Sequence, residues 1–313
     1  MREIGGYIEL DTYSGSMLHS DGIRLNCGRN ALAHLIKLHN IRTLWMPKYM
    51  CDSCDNVLKT SDVTVKYYQI DEKFRPISFL RNFDEWIYIV NFFGQIDNAY
   101  IKKFGKRVIV DNAQAYFQNP IDGLDTIYTC RKFFGVSDGA IVYESKKSEY
   151  KYDQDISYER MNFLLGRYEK SAQEFYLEYV QNNALFKNEA IKEMSKLTTN
   201  LLCAIDYDNV RRIRTQNFEI VDNLLNKYNK LNLSIPDGAF MYPLYLDNGE
   251  VIKKQLLGKK IYVPTLWPAV FKRCDETELE YDMAKNMVPL PIDQRYNEND
   301  MKYIVNEVIK CIG

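Results

Sequence analysis

The sequence predicts an α/β protein, with a mostly parallel central sheet sandwiched by helices and a smaller C-terminal α+β domain. Three observations lead there. Apolar runs of strand length alternate with helix-like stretches as far as Tyr143, the order that βαβ units produce. Some of these runs, Val108 to Val110 above all, are β-branched and apolar at every position, as strands covered on both faces are. Beyond Tyr143 the character turns to long helical stretches, and a cluster of Asn, Ser, Pro and Gly from Leu231 to Gly238 precedes a new set of short strands. Residues 1–205 are expected to form the large α/β domain, and 206–313 a long connecting helix with the small domain.

The 313 residues, 46% of them hydrophobic, can bury a sizeable core. The 41 basic and 42 acidic residues cancel, and neither sign gathers into a long block. That excludes the electrostatic footprint of a nucleic-acid binder and points to small neutral or anionic ligands. The opening MREIGGYIELDTY has no apolar run of signal-peptide length, and no stretch approaches the roughly 18 consecutive apolar residues of a membrane span. A cytoplasmic protein without a membrane partner is expected. Seven cysteines, an odd number scattered along the chain, suit a reducing compartment.

In chain order, Asn26 to Asn40 reads as a tight glycine turn entering a helix whose apolar face is Leu32, Leu35, Ile36 and Leu38. The free N–H groups at such a start attract a phosphate or carboxylate, and Gly28 permits close backbone approach; an ordinary cap accounts for the same glycine. Thr43 to Met46 is a strand stopped by Pro47, and CDSCDNVLKT reads as a helix entered from a Lys48-Tyr49 loop. Val63 to Tyr68 and Trp86 to Val90 are further strands, the second followed by the polar turn NFFGQID. Val108 to Val110 stops at Asp111, Thr126 to Thr129 ends in Arg131 and Lys132, and the Asp138-Gly139 turn leads into Ala140 to Tyr143. Ligands of parallel sheets collect beyond the carboxyl ends of the strands, where Asn91, Asp111 and the Thr129 to Lys132 loop would converge.

Ser157 to Lys187 reads as helical, and Asp206 to Lys230 as a long amphipathic helix whose early basic cluster forms a solvated face. Strands follow at Phe240 to Leu246 and Lys260 to Val263, then a Pro-rich loop at Pro264 to Pro268, the segment Val288 to Ile292, and a last helix from Glu298 to Ile312, capped by Asn297 and followed by Gly313.

Two residues carry the chemistry. The carboxylate of Asp111 at a buried strand end needs a partner, and a lysine held beside sheet edges, as Lys132 would be, is how a chain keeps an amine for a Schiff base. A helix-capping Asp and a solvated Arg-Lys pair account for the same local pattern. No metal is expected. Cys51-Asp-Ser-Cys54 has zinc spacing, but no second pair accompanies it and a structural zinc needs four ligands. His34 and His39 are five apart, off one helix face, and His19 is in a polar loop.

Taken in order, GRNAL, MPKYMCDS, VNFFGQID, VIVDNAQAYF, TIYTCRKFFGVSDGAIV, MSKLTTNLLCAIDYDNVRRIRTQNF and VPLPID resemble the DegT-type sugar aminotransferases, fold type I enzymes that use pyridoxal phosphate. The likeness runs over roughly residues 20 to 310 and is narrower still to a short, divergent branch with the signature Arg-Lys-Phe-Phe-Gly-Val-x-Asp-Gly. It implies that Asp111 pairs with the pyridinium nitrogen and keeps the ring able to accept electrons. Gln114 would sit beside the ring hydroxyl, and Lys132 would bind the cofactor aldehyde and then shuttle the substrate proton. The phosphate would rest on the Gly28-Arg29-Asn30 turn with Thr129 as a hydroxyl donor, and Tyr49 or Cys51 would lie against the ring.

This sequence departs from the family pattern at three places. Cys27-Gly28-Arg29 replaces a Ser-Gly-Thr phosphate turn, although arginine is itself a competent phosphate ligand. The spacing from Thr129 to Lys132 is shortened, which makes Arg131 a rival for the lysine position. Ile191 and Glu193 stand where the family has an Asn and an Arg that reach the partner subunit's site. The activity implied is transfer of an amino group, with glutamate as donor, to the keto group of a nucleotide-linked sugar or small polyol phosphate, as in polysaccharide biosynthesis. A homodimer is expected, since fold type I sites are built at a dimer interface. Dehydration or epimerisation of the same sugars, and a non-catalytic binding or regulatory role, are the alternatives. Substrate choice would rest on loops such as Arg75 to Asp84 and Pro264 to Pro268.

Overall fold

The computed structural model describes residues 4–77 and 79–313. Met1 to Glu3 of the opening run and Ser78 of the Arg75 to Asp84 loop lie outside the described residues. The elements run β1 (Ile23–Leu25), α1 (Gly28–His39), β2 (Thr43–Pro47), α2 (Asp55–Thr60), β3 (Thr64–Ile70), β4 (Pro76–Ile77), β5 (Trp86–Val90), α3 (Asn98–Lys102), β6 (Val108–Asp111), β7 (Asp125–Thr129) and β8 (Ala140–Tyr143). There follow α4 (Asn162–Glu169), α5 (Tyr176–Leu185), α6 (Lys196–Leu202), α7 (Tyr207–Leu225), β9 (Met241–Tyr245), α8 (Gly249–Gly258), α9 (Val270–Arg273), α10 (Leu279–Asn286), β10 (Met287–Pro291) and α11 (Glu298–Ile312).

Eight strands form one sheet in the order β1-β8-β7-β6-β5-β2-β3-β4. Its middle, β7-β6-β5-β2-β3, is parallel, and the pairs β1-β8, β8-β7 and β3-β4 at the two edges are antiparallel. Every residue of β5 and β6 is buried, which is why these strands lack polar alternation in the sequence. On α1, Leu32, Leu35 and Ile36 are buried as the apolar face requires, and the helix ends on Asn40 in the left-handed region (φ 49°). A second sheet pairs β9 with β10 antiparallel. Around it Phe218, Val221 and Leu225 of α7 and Met301, Ile304 and Val308 of α11 form a separate apolar cluster. The capping box at Asn297 holds the start of α11.

Three expectations are corrected. Lys260 to Val263 is not a strand: Ile261 N–H bonds back to Leu256 O, Lys260 has φ 60°, and β9 pairs only with β10. The chain there closes off α8 instead of extending a ladder. The helical stretch Ser157 to Lys187 is broken between α4 and α5, where the Phe175 ring lies against Gly166; a Cβ at Gly166 would stand 2.3 Å from that ring. The basic cluster of α7 is not one solvated face. Arg212 is exposed, but Arg214 is only 2% exposed.

Candidate active site

Asp111 is the last residue of β6, at the carboxyl edge of the parallel strands. Its Oδ2 accepts a hydrogen bond from the Tyr88 hydroxyl (2.8 Å), and its Oδ1 accepts from the Ala113 N–H (2.8 Å). Tyr88 comes from the neighbouring strand β5, where Val90 lies opposite Asp111. Burial pushes the Tyr88 pKa well up and the Asp111 charge adds to it, so the hydroxyl remains a donor. Gln114, also buried, accepts the Phe93 N–H through its carbonyl oxygen (2.8 Å), which leaves its amide N–H2 as the donating end. Asn91 is spent on structure: Nδ2 donates to Gln118 Oε1 (2.8 Å), and Oδ1 accepts from the Ile96 N–H (2.9 Å).

The start of α1 abuts the end of β7. Cys27 precedes the helix in extended conformation and makes no side-chain cap, so the first-turn N–H groups are open to a ligand. Gly28 is needed because a Cβ there would lie 2.7 Å from Thr129 Cγ2. Thr129 Oγ1 is buried and has no hydrogen-bond partner among the described residues. Arg29 donates to Asn183 O (3.1 Å), and Arg131 turns inward to Asn183 Oδ1 with its guanidinium 4.9 Å from the Phe186 ring centre. Burial raises the Cys27 thiol pKa, while the Asn30 N–H and the Arg29 and Arg131 charges oppose it. Burial also lowers the Arg131 pKa. Asn30 does not present its side chain there, since Nδ2 is bonded to Asn26 Oδ1 (2.9 Å) and Ala190 O (2.7 Å).

Lys132 follows Arg131 in a 3-10 turn. It is exposed, makes no ion pair among the described residues, and its Nζ lies 5.8 Å from the centre of the Phe240 ring. Tyr49 is fully buried against Phe92 (5.4 Å) and Trp267 (5.2 Å), its hydroxyl unpartnered. Cys51 is partly exposed, with Sγ 2.8 Å from Ser53 Oγ. Burial raises the Cys54 thiol pKa, and the Cys51 and Asp111 charges push it further. Tyr49 packs into the aromatic core. A surface cavity of about 480 Å³ lies apart, between Ile70, Arg75 and Glu280. Among the described residues no group of three His, Cys, Asp or Glu could hold a metal ion, and no helix is long and apolar enough to cross a membrane.

Sequence reasoning missed Tyr88 as the partner of Asp111. The signal was one hydroxyl-bearing residue inside the otherwise apolar WIYIV run, since a buried phenol normally finds an acceptor. It also missed the buried Arg214, which nothing local distinguishes from Arg211 and Arg212.

No protein-family model and no curated protein matches the sequence. Solved structures do match in shape. The sugar aminotransferase CalS13 from Micromonospora echinospora is 13% identical with a TM-score of 0.64, covering 92% of this chain and 86% of that one. DesV from S. venezuelae, in complex with a ketimine intermediate, is 12% identical with a TM-score of 0.67, covering 92% and 84%. A DegT DnrJ EryC1 StrS aminotransferase from Brucella abortus is 12% identical with a TM-score of 0.60, covering 93% and 86%. The likeness spans nearly the whole chain, and the chain therefore has the fold type I architecture of the sugar aminotransferases.

Proposed function

We propose that the protein is a pyridoxal-phosphate-dependent aminotransferase that moves an amino group, from glutamate, to the keto group of a nucleotide-linked sugar or a related polyol phosphate. The observation that carries the reading is the pair on adjacent strands: a carboxylate held at the end of β6 by Tyr88, and just past β7 a lysine that makes no ion pair among the described residues. The donor set fits the group. Asp111 offers an acceptor for a protonated ring nitrogen, and Gln114 offers an amide N–H for a ring hydroxyl. The open turn at Gly28, Arg29 and the unpartnered Thr129 hydroxyl suit a phosphate.

When bound, the cofactor supplies an electron sink for carbanion formation at the substrate α-carbon. The chain's own residues do the rest. Asp111 would accept a hydrogen bond from a protonated ring nitrogen, Tyr88 fixes the orientation of that carboxylate, and Lys132 would supply the amine that holds the aldehyde and, when free, a base able to hold or move a proton at Nζ. Residues 1–205 as the cofactor-binding domain, 206–313 as the smaller one, a homodimer and a cytoplasmic site of action belong to the same reading.

The test is spectroscopic. Protein mixed with pyridoxal phosphate should turn yellow, lose the colour on borohydride treatment and carry the label on Lys132, and Lys132→Ala should abolish label and turnover. A colourless protein indifferent to added cofactor would sink the proposal and favour a binding role on the same scaffold. Glutamate alone should convert bound cofactor to its amine form; a dehydratase or epimerase would not do so.

A further inference from the structure

Arg214 is a buried cation that no carboxylate among the described residues bonds. It is 2% exposed, and the nearby Asp293 is engaged by Arg295 through two hydrogen bonds of 2.6 and 2.8 Å. A buried charge is costly unless its donors are used, and here they are spent on three separate stretches of chain. Starting from α7, Nε donates to Gln294 Oε1 (2.7 Å), just beyond β10, and Nη1 donates to Ala239 O (2.9 Å) and Phe240 O (3.3 Å), just before β9. Nη2 donates to Phe133 O (3.4 Å), in the loop after β7, and the guanidinium lies 4.5 Å from the Phe133 ring centre. Gln294 reinforces the arrangement by donating Nε2 to the same Phe133 carbonyl (2.8 Å).

The convergence has one focus. Phe133 is the residue after Lys132, and Phe240 is the ring beside the Lys132 ammonium; the two rings pack 5.7 Å apart. Every freedom that would let the lysine loop drift, the peptide after it and the wall beside it, is restrained by the same guanidinium and amide. We propose that Arg214, together with Gln294, is a positioning pair that sets the amine of Lys132 by clamping the Phe133 carbonyl and the Phe240 wall to the strands of the C-terminal half. The inference rests on the reading of Lys132 as the reactive amine.

The experiment uses the full chain and two probes. Borohydride trapping of pyridoxal phosphate, quantified on Lys132 by peptide mass spectrometry across pH, reads the placement of the amine. Titration with pyridoxamine phosphate, which has no aldehyde and needs no lysine, reads the rest of the site. Arg214→Met should slow labelling of Lys132 tenfold or more and shift its pH midpoint, with pyridoxamine phosphate affinity within twofold of wild type and partial recovery in Arg214→Lys. Gln294→Leu, which keeps the guanidinium, should slow labelling at least threefold, and it decides the matter alone if Arg214→Met does not fold. Labelling at the wild-type rate and midpoint in both variants would overturn the inference, as would parallel loss of labelling and pyridoxamine phosphate binding. Failure of the wild type to label at Lys132 would instead remove the functional reading beneath it, before any variant is compared.

Discussion

The contact between Gly28 and Thr129 decides whether the start of α1 and the end of β7 form one cradle, and it can be tested by stability alone. Gly28→Ala adds a Cβ 2.7 Å from Thr129 Cγ2, about 1 Å inside the ordinary carbon–carbon separation of roughly 3.5–4.0 Å. Thr129 is β-branched and stiff at χ1, so relief requires rotating it or moving backbone, at about 1–3 kcal/mol. The helix propensity gained by replacing glycine returns roughly 0.5–1 kcal/mol, which leaves Gly28→Ala destabilised by about 0.5–2 kcal/mol. Thr129→Ser deletes the methyl that the new Cβ would strike. In that background Gly28→Ala should be neutral or stabilising, giving a coupling of about 1–3 kcal/mol between the two sites. Urea unfolding of the wild type, both single variants and the double variant measures it. Additivity to within about 0.5 kcal/mol would refute the contact and with it the placement of the α1 N-terminus against β7.

Other outcomes follow from single groups. Tyr88→Phe removes the hydroxyl that Asp111 Oδ2 accepts and should cost about 1.5–3 kcal/mol, the worth of a hydrogen bond to a charged group, in chemical denaturation. Asp138 is fully buried and accepts from the Ser195 N–H (2.8 Å), the Ser195 hydroxyl (2.8 Å) and the Thr198 hydroxyl. Asp138→Asn turns one accepting end into a donor facing donors and should lower stability by roughly 3–5 kcal/mol; a loss under about 1 kcal/mol would contradict the buried acceptor role of Asp138 toward Ser195 and Thr198 at the start of α6. Burial lowers the Lys253 pKa from its ordinary 10.5 to about 8. The native state therefore sheds its proton first, stability rises as pH climbs from about 8 to about 10.5, and the whole penalty is present below 8. Lys253→Met should raise stability at pH 7 by about 1 kcal/mol after allowance for solvent screening and flatten that alkaline rise in thermal melts recorded from pH 7 to 10.5.

The inner strands were legible because burial on both faces writes itself into a run of four or five adjacent residues, as in β5 and β6. The start of α1 was legible from one glycine and the apolar spacing behind it. The edges were not. β1 pairs with β8 across more than a hundred residues, and its three residues IRL are too short for their alternation to mark a strand. The false strand at Lys260 to Val263 has the right composition but no partner to pair with, and pairing is a property of two segments.

The same division runs through the candidate site. The sequence by itself determined which residues sit at the carboxyl edge of the sheet, because a strand's end and the residue after it are local facts: Asp111 and Lys132 needed only their own neighbours to be singled out, whereas Gln114 and Thr129 were singled out through the resemblance to a family. What only the tertiary structure decided is where adjacent side chains turn. Arg131 and Lys132 are neighbours of the same charge, yet one is drawn inward to Asn183 and Phe186 while the other is exposed beside the Phe240 ring. On α7, Arg212 is exposed while Arg214 is sealed within four carbonyl and amide contacts. A guanidinium can be buried only where distant segments deliver enough acceptors to replace its water, and those segments meet only once the chain has folded.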